Sequence, residues 1–114
     1  MIARSKHLLP VVALALAVLT GCQTVTKISD ITNDPGRFAN KEITISGQVS
    51  DAFGGLGNGV FAVDDGTGRI WVFSQNFGVP ANGGKATVTG QVQQGFNFGG
   101  HSYGLIFRET QARK

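Results

Sequence analysis

Between residues 43 and 50, apolar or glycine positions alternate with polar ones: Ile43, Ile45, Gly47 and Val49 against Thr44, Ser46, Gln48 and Ser50. A period of two predicts a strand with one buried face. The pattern returns over residues 86–93, where Ala86, Val88, Gly90 and Val92 alternate with Thr87, Thr89, Gln91 and Gln93. Both segments contain Gly-Gln-Val at the same phase. Two copies are too few for a solenoid, and a glycine inside each predicts a strand bent sharply at a barrel corner, where the missing side chain lets the backbone coil. Two further strands are expected at 60–63 and 69–74, joined by Asp64-Asp65-Gly66-Thr67-Gly68, whose residues tolerate the positive φ of a tight turn. A fifth, over 102–109, carries Tyr103, Leu105 and Phe107 on one face. Residues 75–84, with Pro80 and three glycines, form no periodic pattern and are expected to be a loop.

Ahead of the strands, Ile28 and Ile31 stand three apart, enough for one or two helical turns. Pro35 lacks an amide donor and disfavours helix in the residue before it, so the segment stops there. Phe38 is expected to pack back onto the domain. Earlier still, residues 8–19 are an apolar stretch behind Arg4 and Lys6. Twelve residues are too few for a transmembrane helix, which needs about 20, so this is a signal-peptide core. Leu19-Thr20-Gly21-Cys22 follows it and resembles the lipobox of bacterial lipoproteins. That resemblance implies cleavage before Cys22, acylation of its sulfur and a periplasm-facing membrane anchor. Several acyl chains hold a protein stably where one holds it marginally. Gln23 in place of aspartate implies sorting to the outer membrane.

Charge changes once the leader is set aside. The whole chain carries +3, but Arg4 and Lys6 belong to the leader, leaving eight basic against seven acidic residues. Near-neutrality opposes nucleic-acid binding, which needs a basic footprint. The lone cysteine excludes an internal disulfide, and seventeen glycines among few charges favour an all-β class.

Five short strands, bent at the first and fourth, with Asp-Asp-Gly-Thr-Gly between the second and third, look like an OB-fold. Residues 63–72 are similar to the DGTG hairpin of bacterial OB-fold domains. The expected architecture is all-β, a five-stranded OB-fold Greek-key barrel with a short N-terminal helical segment, preceded by a signal-peptide helix. Residues 1–21 are the signal peptide, 22–40 the anchor, tether and short helix, 41–110 the OB-fold domain and 111–114 a tail. The usual capping helix between strands three and four is missing, and residues 28–38 are expected to plug the barrel in its place.

OB-fold ligands use the face of strands two and three and the loops between strands one and two and four and five. Here those loops are residues 52–59 and 95–101. Candidate ligand residues are Phe53, Leu56, Asn58, Trp71, Phe96, Asn97, Phe98, His101 and Tyr103. Aromatic rings in such loops stack on a base, a sugar or a peptide side chain. The bland alternative is that they fold inward to close a small barrel, with Trp71 simply packing in the core or on the sheet face. Asp64 and Asp65 lack the alternating oxygen ligands of a calcium loop and are turn formers. His101 is the only histidine after the leader, and no serine sits in a Gly-x-Ser-x-Gly elbow, so no metal, cofactor or catalytic residue is expected.

The expected function is a non-catalytic, lipid-anchored binding or interaction module whose partner is an envelope protein, a glycan or a small ligand. A nucleic-acid binder is the rival that the fold favours and that charge and export oppose. A haem carrier is the second, since the periplasmic haem chaperone of cytochrome c maturation resembles this architecture. His101-Ser102-Tyr103 does not reproduce that family's His-x-x-x-Tyr spacing, however. A purely structural envelope component is the third.

Overall fold

The computed structural model describes residues 24–55 and 57–113. The signal-peptide helix, the lipobox with Cys22, and Leu56 lie outside the described residues. The chain runs through a short helix α1 (Ile28–Asn33) and a 3-10 turn (Pro35–Phe38) into five strands: β1 (Ile43–Gly55), β2 (Asn58–Asp64), β3 (Arg69–Gln75), β4 (Lys85–Phe98) and β5 (His101–Glu109). It is an all-β structure with one short helix.

The sheet closes on itself in the order β1-β2-β3-β5-β4, with β4 returning to β1. Four pairings are antiparallel, and β3 with β5 is the parallel one, pairing Trp71 with Ile106 and Phe73 with Arg108. The period-two pattern sends Ile45 and Val49 of β1, Phe61 and Val63 of β2, Ile70 and Val72 of β3, Ala86 and Val88 of β4 and Phe107 of β5 into one core. Ile28, Ile31 and Phe38 join it from the N-terminal segment.

The helix is too short to hold itself and is capped from outside. Its own N-cap position, Lys27, makes no side-chain cap. Instead Asp65 Oδ2 accepts the Ile28 amide at 2.9 Å, and Thr67 Oγ1 accepts the Ser29 amide at 3.2 Å. The other Asp65 oxygen accepts the Thr67 and Gly68 amides and the Thr67 hydroxyl. The β2–β3 turn thus satisfies donors that a helix start leaves orphaned.

Gly47 and Gly90 are sites where neighbouring backbone comes very close. A Cβ on Gly47 would lie 2.4 Å from the Asp64 carbonyl oxygen, and one on Gly90 2.0 Å from that of Arg108. Both glycines are required by the close approach of a neighbouring strand's backbone.

The segment between β3 and β4 is irregular, as expected, and is tied down by the C-terminal tail. Arg113 pairs with Glu109 and donates to the carbonyls of Phe77 at 3.2 Å and Gly78 at 3.0 Å.

Candidate functional site

The loops expected at 52–59 and 95–101 are instead largely strand. β1 continues to Gly55 and β2 begins at Asn58, while β4 and β5 pair out to Phe98 and His101. Gly99 and Gly100, at φ of 59° and 81°, make the two-residue turn that a right-twisted hairpin favours. Alternation carries on through these segments but is hidden in sequence by glycine, which weakens the strand signal. The outcome is a two-stranded arm, residues 91–106, that extends beyond the β1–β4 pairing.

The arm folds across the outer face of β2 and β3. Val60 of β2 and Phe73 of β3 on that face form a second, smaller cluster with Ile106 of β5, and Trp71, Phe96, Phe98 and Tyr103 are half-buried against it. Phe96 packs on Phe73 at 4.6 Å between ring centroids and Phe98 on Phe73 at 5.4 Å. At the tip, Phe98 meets Phe53 of β1 edge-on at 6.3 Å. A Cβ on Gly99 would sit 3.3 Å from the Phe53 ring, a tight contact that shows how closely the turn approaches it.

Between arm and sheet lies a cavity of about 440 Å³, within the range of roughly 300–1,000 Å³ typical of small-molecule sites. Phe53, Val60 and Trp71 line it from the sheet, and Gly99, His101 and Tyr103 from the arm. Trp71 and Tyr103 meet edge-on at 5.4 Å, and His101 stands 6.2 Å from Tyr103. Phe53 presents its ring to solvent, while Trp71 is half-buried. Phe53 is 62% exposed.

Asp51 supplies the carboxylate of the lining. It occupies a β-bulge in β1, where the register shifts between Ser50 and Phe53, and has the left-handed φ of 52° that a non-glycine residue seldom adopts. Asn82 Oδ1 holds the next amide, that of Ala52, at 2.9 Å. Asp51 Oδ2 pairs with Arg69, whose guanidinium lies 4.7 Å above the Trp71 ring.

Four sequence candidates therefore line the cavity, Phe53, Trp71, His101 and Tyr103, and Phe98 packs against Phe53 beside it. Phe96 supports it from behind through Phe73. Two candidates are absent from the cavity lining. Asn58 accepts the Asn76 amide at 3.1 Å and braces a turn, while Asn97 is exposed at a position that alternates with Phe96 and Phe98 and so takes the arm's other face. Trp71 packs on the outer sheet face, one of the two packing alternatives, and lines the cavity from there. Asp51, Val60 and Arg69 were missed. Arg69 stands two residues before Trp71 on one strand face, a spacing that could have paired them; the bulge that aims Asp51 leaves no comparable trace.

Asp64 and Asp65 are turn formers: Asp64 Oδ1 accepts the Gly66 amide at 2.8 Å, and Asp65 caps α1. Among the described residues no group of three or more His, Cys, Asp or Glu is arranged to hold a metal ion. No helix among them is long and apolar enough to cross a membrane.

No protein-family model matches the chain. No curated protein matches it either. Among solved structures the chain is similar to an OBody bound to hen egg-white lysozyme, at 13% identity and a TM-score of 0.49, over 66% of this chain and 81% of that one.

Proposed function

We propose that this chain is a lipoprotein of the bacterial envelope, anchored through Cys22 and probing the periplasm with an OB-fold domain that binds its ligand without transforming it. The strand order β1-β2-β3-β5-β4, with its parallel β3–β5 pairing, supports the OB-fold reading. The lipobox residues Leu19 to Cys22 support the anchor, and Gln23 supports the outer membrane as its destination.

The observation that carries the binding role is the cavity between arm and sheet, where aromatic faces stay partly open to solvent beside a carboxylate. A core that merely closed a barrel would bury those rings.

A photoreactive amino acid placed at Tyr103, in cells, tests this reading against the same probe at Asn97 on the arm's other face. A discrete adduct at position 103 and none at 97 is the expected result. Equal labelling at both positions would remove the cavity as the binding site. Loss of palmitate incorporation in Cys22→Ser tests the anchor separately.

A further inference from the structure

We propose that the cavity under the arm takes an uncharged saccharide, with the Asp51–Arg69 pair as the group that reads its hydroxyls. This rests on the reading of the cavity as a ligand site and adds the chemical class of the ligand.

A pyranose ring is amphipathic in a particular way. Its faces present C–H bonds, and its edge presents hydroxyls that both donate and accept. A site for it needs flat apolar rings and, at their margin, fixed groups that accept and donate together. Trp71, Tyr103 and Phe53 supply the rings. Asp51 supplies the acceptor: it is 63% exposed on its side chain and gives only Oδ2 to Arg69. The Arg69 guanidinium has a planar fork of donors, of which one nitrogen is used by Asp51.

Three features favour the pair's arrangement before a ligand arrives. Arg69 lies between the Asp51 carboxylate and the Trp71 ring, two contacts that bias its guanidinium toward this orientation. Asp51 sits in a bulge at φ 52°, and bulges of this kind re-aim a side chain that regular alternation would turn elsewhere. Asn82 on the loop before β4 then pins the bulge through the Ala52 amide. Preorganised hydrogen-bonding groups avoid the ordering cost that weakens flexible sites.

Charge narrows the ligand further. Among the described residues the lining holds one carboxylate and no lysine, and the neighbouring arginine is paired with that carboxylate. A polyanion would find no free cation there and a carboxylate to repel it. The volume, about 440 Å³, suits on the order of one or two sugar rings.

The chain contains a single tryptophan, and Trp71 is in the cavity wall, so emission reports on this site alone. The full chain on phospholipid vesicles, free of sugar-based detergent and of any second protein, is titrated with chitotriose, maltotriose, a proline-rich peptide and a ten-nucleotide oligothymidine. The expected result is a saturable emission change with a trisaccharide and none with the oligonucleotide. Asp51→Asn keeps a residue type that tolerates left-handed φ, so it preserves the bulge while removing the charge, and it is expected to raise the saccharide Kd about tenfold. Saccharide binding unaltered in Asp51→Asn would overturn the proposal. A response to the peptide or the oligonucleotide with neither trisaccharide active would overturn it too, while sparing the cavity as a site. Silence toward every probe, together with equal photolabelling at positions 103 and 97, would remove both readings.

Discussion

Gly47 and Gly90 show how a single missing methyl permits the sheet to close. Each would put a Cβ within 2.4 Å or less of a backbone oxygen on the adjacent strand. Backbone cannot step aside as a flexible side chain can, so even alanine must push two strands apart. Gly47→Ala and Gly90→Ala are each expected to destabilise the domain by about 1–3 kcal/mol, read from urea unfolding midpoints. Gly104 provides the contrast, because a Cβ there meets nothing within 4 Å and its φ is not left-handed. Gly104→Ala should leave the midpoint within about 0.5 kcal/mol of the parent. Asp65 adds a titrating residue to this scale. Partial burial pushes its carboxyl up, but hydrogen bonds from the Thr67 hydroxyl and the Ile28, Thr67 and Gly68 amides together outweigh that, and the net shift is below the usual 3.8. A depressed carboxyl contributes stability that is fully present above its unfolded value and is lost as pH falls through the folded one. Asp65→Asn should therefore melt below the parent at pH 7, and the gap should close below about pH 3.8. A gap that stays constant down to pH 2.5 would show that the charge is immaterial.

At the scale of elements, β1 and β4 were legible from alternation, because the period of two survives in Ile43 to Val49 and Ala86 to Val92, whereas β2 and β3, buried on both faces, read as apolar runs on either side of the Asp-Asp-Gly-Thr-Gly turn. The arm was not. Gly95, Gly99, Gly100 and Gly104 interrupt its hydrophobic pattern, and Phe96, Phe98 and Tyr103 face a second cluster outside the main core. Sequence gives the identity of Phe96 and Phe98 but not which of two faces they cover. The same limit hid the site's polar half: Asp51 is aimed by a one-residue register shift, and such shifts leave no periodic signal. The arm's attachment yields its own prediction. Its outer part is held to the sheet mainly by Phe96 and Phe98 against Phe73 and Phe53. Phe98→Ala should release the tip locally, raising amide hydrogen exchange at residues 96–103 while exchange in β2 and β3 core positions such as Val63 and Val72 is unchanged. A uniform rise across the sheet would mean that the arm is part of one cooperative unit and not a separately opening one.

At the scale of the whole molecule, the closed sheet must be sealed without a helix between β3 and β4, and both ends of the described chain contribute. Ile28 and Ile31 enter the core from one side, held by the β2–β3 turn. On the other side the seal is ionic. Glu109 ends β5 with its side chain fully buried, and Arg113, 16% exposed, reaches back four residues to pair with it while lying 5.4 Å over the Phe61 ring. The same guanidinium holds the Phe77 and Gly78 carbonyls, so one residue joins strand, core and loop. Glu109 Oε2 has no partner among the described residues, which makes the pair costly to leave half-broken. Removing the cation strands a buried carboxylate, and such losses typically amount to about 3–5 kcal/mol. Arg113→Ala is therefore expected to destabilise the domain by about that much, far beyond an ordinary tail truncation. If the stranded charge is the cause, Glu109→Gln added to Arg113→Ala should restore at least about 1 kcal/mol, because a neutral amide is less costly to bury than an unpaired carboxylate. If instead the lost contacts to Phe61 and the loop carbonyls dominate, the double variant will be no more stable than Arg113→Ala alone, and the tail would act as a lid held by packing.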